Sequence, residues 1–368
     1  MKAITFHGVS DVRVETVADP KIVDATDVVV RVTTSAVCGS DLHQYHGRGG
    51  GALVQKGAIM GHEFMGVVEE TGAAVREVRA GDRVVLPFNV SCGQCEWCRR
   101  KLPSQCGTTG KAVFGGRFGH VWGGGQAERV RVPFADHLCE KVDPSLSDDD
   151  ALFLGDILST AYFCAENGGI RPGDSVAVFG AGPVGLLAMQ SAQLFGPARV
   201  FAVDRVDYRL ALAAEFGAEP INLDKGDPAE QIRALTGGHG ADVVLECVGH
   251  ETPFTQAIQS VRPAGTVSSV GVYVEPSMGF PAREAFFKDL TLKMGICNAR
   301  NFIAPLMPLV ARGKLKPARI VTHTIPLADA PRGPLSCRRS RSRAGRPRAG
   351  SCGSRSAPAS ACRARPAA

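Results

Sequence analysis

The chain of 368 residues is long enough for about two to three domains at roughly 100–200 residues each. Its 44% hydrophobic and 21% charged residues are the balance of a globular protein and exclude fibrous, collagen-like and wholly disordered classes. The formal charge of +6 would suit a nucleic-acid or membrane-surface partner, but residues 335–368 hold nine arginines and no acid, and without those nine the 42 basic residues become 33 against 36 acidic ones, a net of −3.

No nucleic-acid partner is therefore expected. The longest run free of polar side chains, residues 176–189, has 14 residues, fewer than the roughly 20 that a membrane-spanning helix needs. The first residues lack the apolar core of a secretion leader, and the expected address is the cytoplasm.

In chain order, residues 28–32, 65–70, 83–87 and 127–132 are short β-type runs punctuated by glycine, so a mostly β domain comes first. Within it, Cys38-Gly39-Ser40-Asp41-Leu42-His43 and Gly61-His62-Glu63 supply a thiolate, an imidazole and carboxylates to one ion if the two loops meet. Cys92, Cys95, Cys98 and Cys106 form a C-x2-C-x2-C-x7-C array. Without a secretion leader this spacing favours metal over disulfides, and four thiolates close a tetrahedral zinc shell with no open position. Buried free thiols or an iron–sulfur cluster are the competing readings.

Residues 174–179 then read as a buried parallel strand, Gly180-Ala181-Gly182-Pro183-Val184-Gly185 as a G-x-G-x-x-G turn, and residues 186–195 as a helix. The glycines let a pyrophosphate approach a helix N-terminus, whose unpaired N–H groups and dipole favour negative charge. A second strand, residues 199–203, ends at Asp204, nineteen residues after Gly185, where an acid accepts hydrogen bonds from an adenosine ribose and disfavours a 2′-phosphate. NAD is expected over NADP, a preference softened by Arg205 and Arg209. Strands at 220–223, 242–246 and 266–271 alternate with helices at 229–235 and 253–261, the pattern of a doubly wound parallel sheet.

Taken together these motifs resemble the zinc-containing medium-chain dehydrogenase/reductases, the alcohol dehydrogenase superfamily, over residues 1–333. The resemblance implies an α/β protein with a mostly β GroES-like catalytic domain over residues 1–154, carrying a structural zinc lobe at 91–107. A Rossmann NAD domain over 155–297 and a return to the first domain over 298–334 follow. It implies a catalytic zinc on Cys38, His62 and Asp156, with Glu63 entering or leaving the zinc shell and Asp41 holding the His62 ring. The third position is an aspartate, as in the bacterial alcohol and formaldehyde dehydrogenase branch. By the same resemblance Ser40 takes the alcohol proton, His43 relays it to solvent, and Thr160 packs beside the nicotinamide. Val248, Gly271 and Val272 are carried as further NAD contacts. Cys139, Cys164, Cys247 and Cys297 are expected to be small core residues.

The implied function is reversible hydride transfer between a primary or secondary alcohol, or a hydrated aldehyde, and NAD, in a homo-oligomer, dimer or tetramer. A polyol or threonine dehydrogenase shares the frame. A zinc- and NAD-binding regulator without turnover would not need Ser40 and His43.

Beyond a helix expected at 302–312 and a strand at 319–325, the apolar pattern stops after Gly333. Residues 335–368 consist of Arg, Ala, Ser, Pro, Gly and Cys with a single leucine, and no lysine. A slip of reading frame in a G/C-rich gene accounts for this better than a natural basic tail, which would contain lysine. The expectation is a disordered tail, a first domain without its closing strand, and a poorly soluble or weakly active chain.

Overall fold

The structure, a computed structural model, describes residues 1–48, 54–111, 116–332 and 361–365, with 331–332 and the last five by backbone alone. By contacts it divides into Met1–Val142 with Val321–Ala368, and Asp143–Ile320.

In the first unit, β1 (Lys2–Gly8) and β2 (Asp11–Thr16) form an antiparallel hairpin. β3 (Val28–Val37) follows and leads into α1 (Gly39–Tyr45), whose N-cap is Cys38. Then come β4 (Phe64–Thr71), β5 (Arg83–Val85), α2 (Glu96–Arg99), β6 (Arg129–Val132), α3 (Ala135–Leu138) and β7 (Glu140–Lys141). The β-branched residues of β3 make it the spine of the sheet, because they pack well on a pleated surface. It pairs antiparallel with β4 along its length and with β6 through Val28–Arg31 register partners. Val28, Val30 and Val32 join Phe64, Leu86 and Phe118 in one buried cluster, each worth about 1.5–3 kcal/mol of burial.

The second unit opens on α4 (Asp148–Ala151), capped by the Ser147 hydroxyl, and α5 (Ile157–Gly168). Six strands alternate with helices from there: β8 (Ser175–Phe179), α6 (Pro183–Gln193), β9 (Arg199–Asp204), α7 (Asp207–Glu215), β10 (Glu219–Asn222), α8 (Pro228–Leu235), β11 (Ala241–Glu246), α9 (Glu251–Ser260), β12 (Val261–Ser269), α10 (Ala282–Phe287) and β13 (Thr291–Met294). The sheet order is β10-β9-β8-β11-β12-β13, with every pairing parallel. Continuous apolar runs suit strands covered on both faces, and Phe179, Phe201, Val244, Phe254 and Val267 form the buried centre. The strand order reverses between β8 and β11, which opens a crevice at their carboxyl ends. α11 (Ile303–Ala311) completes this unit.

The unit boundaries fall at Val142/Asp143 and Ile320/Val321, whereas the sequence suggested 154/155 and 297/298. Leu152, Phe153 and Leu154 are fully buried, α4 packs on α11, and the Asp143 N–H points to Met307 Sδ at 3.3 Å, so residues 143–154 and 298–320 share one core with α5.

The chain returns to the first unit through β14 (Val321–Pro326) and then β15 (Ala361–Arg365). β15 lies between β14, to which it is parallel, and β3, to which it is antiparallel, with Cys362 opposite Val37. This corrects the expectation of a tail with no ordered part and a first domain without a closing strand. Strand pairing needs only main-chain N–H and C=O groups, which Ala361–Arg365 supply without a proline, whatever their side chains. Residues 335–360 and 366–368 of the tail lie outside the described residues.

Candidate metal centres and nucleotide cradle

The four-cysteine lobe hangs on two short turns, with Cys95 capping α2 and Gly93, at φ +74°, reversing the chain. A side chain at Gly93 would lie 2.9 Å from the His137 ring, so both the dihedral and the space demand glycine. Sulfur separations are 3.6 Å for Cys95–Cys98, 3.8 Å for Cys95–Cys106 and 3.6 Å for Cys92–Cys106. A zinc–sulfur bond of about 2.3 Å gives a tetrahedral edge of about 3.8 Å, so the donor set fits zinc. Main-chain N–H groups of Gln94 and Cys95 point at Cys92 Sγ, and that of Cys92 at Cys106 Sγ, all at 3.4 Å, as thiolates require. The Cys98 main-chain N–H is the largest influence holding the Cys95 thiol at a pKa of about 6. None of the nine cysteines whose side chains are described is in a disulfide.

A second donor group lies where β3 ends and β4 begins. One donor atom each of Cys38, His62 and Glu63 falls within 4.8 Å of the others. His62 and Glu63 are buried behind Gly61, whose φ is +95° and whose missing Cβ would stand 2.4 Å from Gln126 Cγ. His62 Nδ1 is 3.2 Å from Asp41 Oδ1. Asp41 Oδ2 accepts from the Cys38 main-chain N–H at 3.0 Å and from Gln126 Nε2 at 3.1 Å. Burial pushes the Asp41 carboxyl up, but the adjacent His62 and the donated hydrogen bonds outweigh it and hold the pKa below the usual value. This carboxylate fixes the His62 proton on Nδ1 and leaves the lone pair on Nε2, which Ser40 Oγ approaches at 3.2 Å. A thiolate, an oriented imidazole and a carboxylate are a donor set that fits zinc. Gln126, which also donates to the Ala36 carbonyl at 3.2 Å, was not singled out by the sequence; its only signal was its place directly after a glycine run. His43, on α1, is half-buried.

In the second unit, Asp156 is buried at the N-cap of α5, and its Oδ1 accepts from Thr160 Oγ1 at 3.1 Å. The Cys297 thiol lies close by, and burial first, then the Asp156 charge, pushes its pKa well up.

The glycine turn between β8 and α6 has the geometry its spacing implies. Gly180 has φ +90°, and a Cβ on Gly185 would lie 1.7 Å from the Gly180 carbonyl oxygen, so the helix can start this close to the strand only with glycine there. A Cβ on Gly182 would meet nothing nearer than Arg209 Nη1 at 4.0 Å. The free space is therefore in front of the α6 N-terminus, where a pyrophosphate fits. Asp204 is tied to this turn. Its Oδ2 accepts from the Ala181 N–H at 2.8 Å, and its Oδ1 from Arg205 N–H at 2.7 Å and Val206 N–H at 3.0 Å. Arg209 Nη1 stands 3.5 Å from Oδ2, so the carboxylate draws that guanidinium toward itself, while Arg205 is exposed. Val184 follows Pro183 in the first turn of α6, and Val248, Gly271 and Val272 lie just past the carboxyl ends of β11 and β12.

Among the described residues no helix is long and apolar enough to cross a membrane. Residues 24–143 match the alcohol dehydrogenase GroES-like domain family, and residues 183–312 the zinc-binding dehydrogenase family. An uncharacterized zinc-type alcohol dehydrogenase-like protein of Bacillus subtilis is 36% identical over 363 residues, covering 90% of this chain and 95% of the relative. A glutathione-independent formaldehyde dehydrogenase of Pseudomonas aeruginosa is 33% identical, covering 90% and 93%. The solved structure of an alcohol dehydrogenase from Thermus sp. ATN1 superposes with a TM-score of 0.85 at 43% identity, covering 90% and 95%.

Proposed function

The chain belongs to the zinc-type alcohol dehydrogenase family, and on that premise we propose that it transfers a hydride between a primary or secondary alcohol, or a hydrated aldehyde, and NAD, with Cys38, His62 and Asp156 as the ligands of its catalytic zinc. The Asp41–His62 pair carries this reading, because a structural core has no need of a buried carboxylate that selects one histidine tautomer. Zinc supplies Lewis acidity toward the substrate oxygen when bound, and NAD supplies the hydride acceptor. In this reading Ser40, whose Oγ is 3.2 Å from His62 Nε2, takes the substrate's hydroxyl proton, and His43, on the same helix, passes it toward water. Thr160 holds Asp156 Oδ1 and packs beside the nicotinamide, and Glu63 provides an alternate carboxylate.

Similarity to the Pseudomonas enzyme favours small alcohols and aldehydes over polyols or threonine, which remain the second reading. A regulator without turnover is set aside, since the relatives spanning nearly all of this chain carry dehydrogenase names. The proposal includes a cytoplasmic address, where cysteines stay reduced for metal. It also includes a homo-oligomer, for which the exposed edge strand β13 beside Phe286 and Phe287, 78% and 73% exposed, offers a contact surface.

The test is NADH formation with primary alcohols, secondary alcohols and polyols, joined to metal analysis. Two zinc ions per chain are expected, with Cys38→Ser losing one ion and all turnover while the four-cysteine lobe keeps its own. A parent chain that holds a single ion, and keeps it in Cys38→Ser, would overturn the two-site reading.

A further inference from the structure

Glu246, the last residue of β11, is fully buried, and its carboxylate receives four hydrogen bonds. Its Oε1 accepts from the Val248 N–H at 2.8 Å and the Gly249 N–H at 2.9 Å. Its Oε2 accepts from Ser269 Oγ at 2.8 Å and from Tyr273 Oη at 2.9 Å, and the two hydroxyls are themselves 2.9 Å apart. One carboxylate thus joins the segment leaving β11 to the segment leaving β12. The two segments touch directly above it. A Cβ on Gly249, whose φ is +78°, would lie 2.4 Å from the Val272 nitrogen, and a Cβ on Gly271 would lie 2.0 Å from the Gly249 nitrogen. The Tyr273 ring is braced edge-on by buried Phe254, with centroids 5.9 Å apart.

This clamp has a direction. Val248 and Val272 are 45% and 52% exposed although they follow buried strands, and Val248 Cγ2 lies so near Gly180 that a Cβ there would be 2.6 Å from it. Val248 therefore stands in the crevice where the strand order reverses, and Val272, whose main chain lies against Gly249, stands next to it. Asp204 marks the adenosine side of that crevice, at the end of β9, and β11 and β12 lie on the other side of β8.

From this we infer that Glu246 is a positioning residue for the nicotinamide half of the dinucleotide: it holds the Val248–Gly249 and Gly271–Tyr273 segments as one rigid wall, with Ser269 and Tyr273 as its side-chain supports. The inference rests on the cofactor reading above. It concerns the wall beside the nicotinamide and leaves the pyrophosphate cradle and the adenosine end untouched.

The two halves of the cofactor separate the possibilities. NADH carries both halves, and ADP-ribose lacks the nicotinamide. In Glu246→Met the pocket stays filled, but the Val248 and Gly249 N–H groups lose their acceptor. NADH affinity, read by fluorescence titration, is expected to fall about tenfold or more while ADP-ribose affinity stays within about twofold. Tyr273→Phe keeps the ring against Phe254 and loses one hydrogen bond, so a smaller loss confined to NADH is expected. Glu246→Gln is expected to retain nearly parental NADH binding. Its carbonyl can serve the two main-chain donors, and its amide can donate to the Ser269 and Tyr273 hydroxyls, which can turn to accept. Should Glu246→Met fail to fold, Tyr273→Phe decides alone. Equal losses for both ligands, or no loss of NADH affinity in either variant, would overturn the assignment. A parent chain that binds neither ligand would overturn the cofactor reading and this inference with it.

Discussion

His62 Nδ1 and Asp41 Oδ1 stand 3.2 Å apart, and each of the two side chains is only 4% exposed. The contact joins the first turn of α1 to the loop before β4, and it assigns the ring proton to the nitrogen that faces the carboxylate. Its other oxygen is occupied by Cys38 N–H and Gln126 Nε2, so the carboxylate cannot turn away without stranding two buried donors.

Replacing Asp41 by Asn should act on this tautomer. An amide can turn its NH2 toward Nδ1 and move the imidazole proton to Nε2, which then cannot bind metal. Affinity for the second zinc is expected to drop about 10–100-fold, read by competition with a chromophoric chelator, while the four-cysteine lobe retains its ion. Unchanged affinity of both sites would show that the pair has no part in metal binding.

Asp204 ties the Ala181 N–H of the glycine turn to the end of β9 and keeps Arg209 within 3.5 Å. Asp204→Ala removes both constraints and takes away the carboxylate that repels a 2′-phosphate. KM for NAD should rise, and the preference for NAD over NADP should narrow by about tenfold or more. A preference for NADP in the parent enzyme would mean that Arg205 and Arg209 already outweigh the carboxylate.

Asp242 offers a clean pH dependence. Burial raises its pKa, but the Ser175 hydroxyl and N–H, at 2.7 and 2.8 Å, and Arg262, at 2.6 Å, together bring it below the usual value. A carboxyl with a depressed folded-state pKa stabilises the fold above its unfolded-state pKa, and that contribution is lost as pH falls through the folded-state value. Asp242→Asn should therefore destabilise at neutral pH by about 1–3 kcal/mol. The gap between the two unfolding curves should close as pH drops below the ordinary carboxylate range. A gap that is constant with pH would count against this linkage.

Deleting residues 361–368 removes β15 and leaves the β3 edge and β14 without their shared partner. Unpaired edges template association, so light scattering on heating should begin at lower temperature than in the full chain. Identical scattering and melting would show that β15 contributes nothing to the sheet in solution.

The sequence alone determined those features whose parts lie close together along the chain. Cys92 to Cys106 and Gly180 to Gly185 are spans in which a few backbone dihedrals already decide where the donors or N–H groups point, so their spacing announces a zinc lobe and a phosphate turn. The alternation of apolar runs with helical stretches after residue 174 likewise announced the parallel sheet, because burial on both faces imposes that pattern locally. Only the tertiary structure decided which distant groups share a carboxylate. Gln126 meets Asp41 across 85 positions, Tyr273 meets Glu246 across 27, and β15 enters the sheet beside β3 from the far end of the chain. Spacing constrains a contact only while the intervening chain is short. Across longer separations the partner is selected by the burial and hydrogen-bond demand of the assembled core, to which composition and periodicity give no address.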